Sequence, residues 1–156
     1  MQRITPENIT IATSDMRILI GTNESGINGA GIARYAEDNW GLEPGKGFGP
    51  SGLCFGLPTK DWIIRQLPLS VINNYVERYI EWCKVTKWKH YVTKIGCGLA
   101  GYSVPDIAPM FERCAQYQNM WLPQDFLDFY AGTYVKPEVL TVKEAQDAGI
   151  VKRRFA

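Results

Sequence analysis

Alternating strand and helix patterns predict an α/β protein in which helices cover the faces of a sheet. Short apolar runs bounded by glycine or proline are typical of buried strands, and one long segment carries apolar residues at helical spacing. The chain has 156 residues, which suits a single domain, and it contains no internal repeat or linker.

The first half of the sequence predicts two strands and a helix. Residues 17–21 (RILIG) and 53–57 (LCFGL) are the two apolar runs, and Pro58 is expected to end the second strand. Residues 31–39 predict a helix. The stretch 22–31 before it holds too many glycines for a helix interior, so it is predicted to be a loop.

The clearest element of the second half is a helix over residues 69–85. Its apolar face is predicted to consist of Ile72, Val76, Tyr79, Ile80 and Cys83. A strand over 91–95 follows, and a short strand over 119–122 precedes a helix over 123–130. Strands and helices therefore alternate throughout, as they do in α/β proteins.

Two capping boxes predict further helix starts. Ser103 with Asp106, an aspartate in place of the usual glutamate, opens a helix that is expected to continue to about Gln116. Thr141 with Glu144 opens another helix in the C-terminal tail. The tail is more polar than the segments before it.

Composition and charge exclude several classes of protein. The chain is 46% hydrophobic and 21% charged, which is typical of a globular protein. Its 17 basic and 16 acidic residues give a net charge of +1, so we expect no binding to long nucleic acid, which needs a basic face. No apolar stretch is long enough to span a membrane, and no signal peptide opens the sequence, so a cytoplasmic protein is expected.

The cysteines and the histidine do not predict a metal site. Cys54, Cys83, Cys97 and Cys114 lack the spacing of zinc ligands, and His90 is the single histidine. We therefore expect no metal and no cofactor, and reduced cysteines that are mostly buried.

Glycine-rich loops indicate where a ligand would bind. Residues 22–31, 45–52 and 96–101 follow or precede predicted strands, and ligands of α/β sheets bind outside the carboxyl ends of the strands. Glycine lets backbone N–H groups converge on an anion, and the first and third loops lead into helix N-termini that favour phosphate. Neither the P-loop pattern nor G-x-G-x-x-G is present, which disfavours P-loop nucleotide hydrolases and dinucleotide-binding proteins of the Rossmann type.

Two of these loops resemble the ligand loops of macrodomains. Residues 21–33 (GTNESGINGAGIA) are similar to the first ligand loop of that family, and residues 95–102 (IGCGLAGY) to the phosphate-binding loop. The resemblance covers about residues 9–123 and is strongest to small macro-like proteins of bacteria and phages. It implies a three-layer α/β/α sandwich with a mixed central sheet, which we expect over residues 1–132. The more polar residues 133–156 are expected to form a C-terminal extension packed on the same domain.

The resemblance also implies a ligand, ADP-ribose or a derivative of it, and a set of residues that bind it. These are Asn23, Gly29, Ala30, Gly31, Ile32, Gly96, Cys97, Gly98, Leu99, Ala100, Gly101 and Tyr102. Asn8 stands where many macrodomains have an aspartate that holds the adenine, so this contact is in question.

Residues 55–60 (FGLPTK) resemble a macrodomain branch in which a lysine attacks the anomeric carbon of the distal ribose. Lys60 is the candidate nucleophile, with Asn23 near the distal ribose and Asp61 as the nearest acid. Asp61 is equally typical of a turn cap. Ala100 departs from relatives that carry an aromatic or acidic residue at its position.

Two functions remain open from the sequence. One is hydrolysis of an ADP-ribosyl adduct on protein, on a nucleic-acid base or on a small molecule. The other is a binder that sequesters an ADP-ribose-related nucleotide, in the host cytoplasm if a phage encodes the chain. An unrelated nucleotide-binding α/β protein is a third alternative, and the identity of the bound ligand would separate it from the other two.

Overall fold

The structure is a computed structural model that describes residues 2–137. Its helices and strands alternate along the chain as the sequence predicts. In chain order they are β1 (Ile4–Thr5), β2 (Met16–Asn23), α1 (Gly31–Asn39), β3 (Gly49–Ser51), β4 (Cys54–Lys60), α2 (Leu69–Lys84), β5 (Lys89–Tyr91), α3 (Val104–Ile107), a 3₁₀ helix (Ala108–Gln116), β6 (Met120–Pro123) and α4 (Gln124–Ala131).

The six strands form one mixed sheet in the order β1-β6-β5-β2-β4-β3. Strands β1, β6, β5, β2 and β4 pair in parallel, and the edge strand β3 pairs antiparallel with β4. The predicted α/β/α sandwich with a mixed sheet is therefore confirmed. Both edge strands are short, which limits pairing with other chains.

Successive side chains of β2 point to opposite faces of the sheet, and each face is covered by a layer of helices. Leu19 packs with α2, the 3₁₀ helix and α4 on one face, whereas Ile18 and Ile20 pack with α1 on the other. Helix α2 buries the five residues that its sequence period predicts, and α1 has the predicted bounds. The strongest sequence patterns thus correspond to the elements that form the core.

Three strands differ from their predicted positions by more than one residue. Strand β2 continues to Asn23, two residues beyond its predicted end at Gly21, because it pairs with β4 up to Lys60. Strand β4 continues through Pro58 to Lys60, whereas the proline was expected to end it. Strand β3 pairs only with residues Cys54 to Gly56, so β4 has a single neighbour at Pro58 and the missing N–H costs little there. Strand β5 covers Lys89–Tyr91 instead of residues 91–95, because the chain turns after Tyr91. The turn leads to residues 96–101, the second of the two loops that resemble macrodomain ligand loops, here named the second glycine loop, as residues 22–31 are the first glycine loop.

The capping box of Ser103 and Asp106 is confirmed, but the helix that it opens is short. Helix α3 gives way to a 3₁₀ helix at Ala108. Pro109 lacks the N–H group that an α-helical bond to residue 105 would need, which accounts for the tighter winding.

The helix predicted from Thr141 and Glu144 lies outside the described residues, and the division at residue 132 stays a prediction. Tyr134, just beyond that boundary, packs against the larger core cluster. None of the helices within residues 2–137 combines the length and the apolar character that a membrane span would need.

His90 is a buried residue of the core, and it makes stability depend on pH. Its Nε2 contacts the Thr86 hydroxyl, and burial, together with nearby Arg17, lowers the pKa of His90 to about 4 from 6.5. The unfolded chain therefore takes up this proton at a higher pH than the folded chain does. We expect the free energy of unfolding to fall by up to about 3 kcal/mol between pH 6.5 and pH 4.

Urea unfolding at several pH values checks this expectation. Carboxyl groups also titrate in this range, so the informative quantity is the difference from His90→Gln, which removes the titrating ring. If the free energy of unfolding of His90→Gln falls as steeply between pH 6.5 and pH 4 as that of the parent, another group causes the pH dependence.

Candidate functional site

A cleft of about 660 Å³ lies at the carboxyl ends of the central strands β2, β4 and β5. This is the edge at which open α/β sheets bind ligands. A smaller cavity of about 290 Å³ lies beside Arg3, whose guanidinium already donates to the carbonyl oxygens of Met120 and Tyr117. The larger cleft is therefore the candidate site.

Asn23 at the end of β2 organises the first glycine loop. Its side-chain oxygen accepts hydrogen bonds from the Ser25 hydroxyl (2.8 Å) and the Ile27 N–H (3.0 Å), and its amide nitrogen donates to the Ile27 carbonyl (2.8 Å). The side chain is 7% exposed and lines the cleft, with one amide N–H left for a ligand.

Beyond Ile27 the first loop presents unpaired backbone donors. Within the described chain the N–H groups of Gly29 and Ala30, and those of Gly31 to Ala33 in the first turn of α1, have no hydrogen-bond acceptor. The last three are the orphan donors of a helix N-terminus. All five residues line the cleft, so their amides are available to an anion.

The second glycine loop presents a matching row of donors. In residues 2–137 the N–H groups of Gly96, Gly98, Leu99 and Ala100 find no acceptor, and all four residues line the cleft. Gly96 has φ +74°, and a Cβ there would lie 3.2 Å from the Ile107 side chain, so glycine is needed. Gly98, in contrast, faces open space and has no positive φ.

Helix α3, which follows this second loop, does not offer its N-terminus to a ligand. The Asp106 carboxylate accepts hydrogen bonds from the Ser103 N–H (3.0 Å) and hydroxyl (2.9 Å), and these bonds hold the pKa of Asp106 below its ordinary value. The capping carboxylate keeps negative charge at this helix end, which disfavours phosphate. Anion recognition therefore rests on the loop amides and on α1.

Lys60 lies beside Asn23 at the carboxyl ends of β4 and β2. The two residues are register partners of β4 and β2, and the Lys60 carbonyl accepts a hydrogen bond from the Glu24 N–H (2.9 Å). The Lys60 side chain lines the cleft and is half-buried. It makes no ion pair with any residue that the structure describes, so its amine is free to contact a ligand.

Asp61 organises the turn after β4 and does not line the cleft. Its carboxylate accepts hydrogen bonds from the N–H groups of Ile63 (3.0 Å) and Arg65 (2.9 Å) and from the Arg65 guanidinium (3.0 Å). The backbone donors, that of Arg65 first, hold the pKa of Asp61 below its ordinary value. An ionised, occupied carboxylate matches the turn-cap interpretation, and a catalytic role for Asp61 stays an untested prediction.

Two hydrogen bonds tie this turn to the second glycine loop. The Gln66 side chain donates to the Ala100 carbonyl (2.7 Å), and the Tyr102 hydroxyl donates to the Leu67 carbonyl (2.5 Å). Gly101 has φ +87°, and a Cβ there would lie 3.2 Å from the Gln66 amide nitrogen. The two bonds fix the second glycine loop relative to β4 and Lys60.

The structure brings most of the predicted site residues together around the cleft. Those that line it are Asn23, Gly29, Ala30, Gly31, Ile32, Lys60, Gly96, Gly98, Leu99 and Ala100. Cys97, Gly101 and Tyr102 do not line it. The Cys97 thiol donates to the Ile95 carbonyl (3.5 Å), and the Tyr102 hydroxyl donates to the Leu67 carbonyl. Burial raises the pKa of Cys97 to about 11, so its thiol stays protonated near neutral pH.

Sequence reasoning missed several residues of the cleft wall. Glu7, Thr59, Thr93 and Lys94 all line the cleft, whereas Asn8 is exposed and does not. Thr59, Thr93 and Lys94 lie at or near the ends of predicted strands, and Glu7 is next to Asn8, the predicted adenine contact. These positions were the sequence signals that could have indicated them. No group of three or more metal-ligating side chains occurs within residues 2–137.

No protein-family model matches the sequence, and no curated protein sequence matches it. Two solved structures are similar. The macrodomain of Mycobacterium tuberculosis DarG is 16% identical, with a TM-score of 0.57 over 79% of this chain and 97% of that one. Thermosipho africanus DarTG in complex with ADP-ribose is 19% identical, with a TM-score of 0.52 over 72% of this chain.

The second likeness covers only 39% of the DarTG chain, so this protein spans less than half of that one. Both likenesses cover more than two thirds of this chain, and their TM-scores are above 0.5. This chain has the macrodomain fold.

Proposed function

We propose that the chain binds ADP-ribose through its diphosphate and hydrolyses an ADP-ribosyl adduct with Lys60 as the nucleophile. The observation that carries the binding part is the pair of facing loops whose unpaired amides line one cleft. Unpaired backbone donors are rare unless a ligand or water satisfies them, and two converging rows suit a diphosphate. The DarTG structure, which contains ADP-ribose, supports the same choice of ligand.

The lining of the cleft suggests the orientation of the ligand. Lys60 and Asn23 lie at one end, where the distal ribose and its adduct would be placed. Pro6, Glu7 and Ile9 line another part of the wall, which suits the adenine. In this pose the remaining Asn23 amide N–H would donate to a ribose hydroxyl.

Hydrolysis would use the Lys60 amine directly. Its lone pair would form a bond to the anomeric carbon while the bond to the adduct breaks, and water would then release ADP-ribose from the lysine. The attacking nitrogen gains a positive charge and then loses a proton, which would pass to the leaving group directly or through solvent. In this step neither Asp61, whose carboxylate binds the backbone of its own turn, nor Ala100 would supply an acid. The same geometry without turnover describes a binder that sequesters ADP-ribose, which is the alternative function.

Calorimetry with ADP-ribose, AMP and ribose 5-phosphate tests the proposed ligand. We expect ADP-ribose to bind at least about tenfold more tightly than either fragment, because only the complete diphosphate can contact both rows of amides. Equal affinity for AMP and ADP-ribose would show that the cleft recognises a single phosphate.

The Gln66 side chain offers a test of how the turn after β4 holds the second glycine loop in place. Gln66→Leu removes the hydrogen bond to Ala100, so the second loop should lose its fixed position and ADP-ribose should bind about five- to tenfold more weakly. The matched control is Gln124→Leu, which removes the Gln124–Asp128 hydrogen bond on the surface of α4. If the two variants bind ADP-ribose equally well, the hydrogen bond to Ala100 does not support the site.

A further inference from the structure

The turn between Lys60 and Gln66 exposes three consecutive large apolar side chains. Trp62, Ile63 and Ile64 are 67%, 65% and 43% exposed. Exposed apolar residues are ordinary when scattered, but a contiguous run on a monomer surface marks an interaction site. Tryptophan in particular is enriched among the residues that anchor protein interfaces. We call these three residues the apolar tip.

The apolar tip is held rigidly. Antiparallel bridging between Lys60 and Gln66 closes the turn, and the Asp61 N–H donates to the Arg65 carbonyl (2.7 Å) inside it. The Asp61 carboxylate binds the backbone from within. Ile64 adopts φ +66°, a conformation that a β-branched residue rarely takes and that the surrounding hydrogen bonds maintain. A rigid surface loses little conformational entropy when a partner binds.

The position of the apolar tip ties it to the cleft. Ile64 lines the cleft together with Lys60, whereas Trp62 and Ile63 lie outside it. The Gln66–Ala100 hydrogen bond joins the turn to the second glycine loop, where Leu99 is 82% exposed and lines the same cleft. A macromolecule whose attached group enters the cleft beside Lys60 would therefore pass next to Trp62 and Ile63.

The charges of the turn indicate what kind of macromolecule fits. Asp61 and Arg65 form an ion pair with one another (3.0 Å), so the turn presents no net charge. Lys94 on the cleft wall is likewise paired, with Asp125. A nucleic acid would need several cations to contact its phosphates, whereas residues 61–65 contain a single cation, Arg65, which is paired with Asp61. Lys60, at the base of the turn, lines the cleft. A neutral apolar surface is complementary to an uncharged apolar segment of a protein.

We propose that Trp62 and Ile63 form a docking surface for an uncharged apolar segment of a protein that carries an ADP-ribosyl group, next to the point of attachment. The proposal rests on the proposed function, because the ADP-ribosyl group is what the cleft would hold. It adds that recognition extends beyond ADP-ribose to the sequence of the modified protein.

Calorimetry in the Lys60→Ala background, which prevents turnover of the probes, provides the test. The probes are free ADP-ribose, a peptide ADP-ribosylated on a glutamate between leucine-rich flanks, the same peptide with charged flanks, and an ADP-ribosylated oligonucleotide. Trp62→Ser combined with Ile63→Ser should weaken binding of the leucine-flanked peptide at least about tenfold. Binding of free ADP-ribose should change less than about twofold, because neither side chain lines the cleft.

Val85→Ser is the matched control, since Val85 is an apolar residue that is 83% exposed and lies between α2 and the start of β5, away from the carboxyl ends of the strands where the cleft is. It should change none of the affinities. The docking proposal is overturned if the double variant loses affinity for every probe equally, loses most for the oligonucleotide, or loses none. Self-association of the parent through the tip, seen in sedimentation and absent from the double variant, would also overturn it. Failure of the parent to bind free ADP-ribose would instead defeat the proposed function, and the docking proposal with it.

Discussion

Gly98→Glu should abolish ADP-ribose binding and leave the fold intact. The new side chain would project into the cleft among the unpaired amides of Gly98, Leu99 and Ala100, and its carboxylate would repel the diphosphate. Amide bonds to a charged group contribute about 1.5–3 kcal/mol each, so the loss of two of them weakens binding at least about 100-fold. The fold should survive, because Gly98 has open space around it and no positive φ. Calorimetry measures the first effect and thermal unfolding the second.

Two variants separate the effects of charge and of bulk. Gln118→Glu adds the same charge in an exposed turn just before β6, at the opposite edge of the sheet, and should not change the affinity. Gly98→Ala adds only a methyl group and should cost less than Gly98→Glu. If Gly98→Glu binds ADP-ribose like the parent, the diphosphate does not lie against the second glycine loop.

The sequence predicts best those elements whose patterns are long. Sixteen residues of α2 repeat an apolar period several times, and all five predicted core residues are buried. Strands β1 and β3 escaped prediction because two and three residues cannot display a period, and β3 contains Gly49 and Pro50. The extension of β4 through Pro58 depends on where β3 stops, which is a property of the pairing and not of the local sequence.

The candidate site shows the same limit. Glycine content indicated both loops, and ten of the predicted residues line one cleft. Sequence alone could not show that the Asn23 amide is largely used within its own loop, or that the Tyr102 hydroxyl bonds Leu67 behind the second loop. Such roles depend on hydrogen bonds between segments that are distant in sequence, as Gln66 and Ala100 are. A spacing pattern carries no information about them.

Lys60→Ala should abolish turnover and leave ADP-ribose binding nearly unchanged. Loss of a nucleophile removes the chemical step itself, so we expect kcat on an ADP-ribosylated substrate to fall at least about 1000-fold. The diphosphate contacts come from backbone amides of the two loops, which do not depend on the lysine. Single-turnover kinetics with a peptide that carries a carboxylate-linked ADP-ribosyl group, and with a base-linked oligonucleotide, measures the first effect. Calorimetry with ADP-ribose measures the second.

Lys94→Ala is the matched control, because Lys94 also lines the cleft but its amine is bound to Asp125 (3.0 Å). It should keep most of the turnover. If the attack opens the sugar ring to a Schiff base, borohydride added during turnover should reduce it, and the adduct should be found on Lys60 in the parent and on no residue in Lys60→Ala. Robust hydrolysis by Lys60→Ala would rule out the lysine mechanism and favour a bound water near Asn23. A parent that binds ADP-ribose but turns over no ADP-ribosylated protein, nucleic acid or small molecule would favour the sequestering function, because the unpaired amides that hold the diphosphate would then act without the nucleophile.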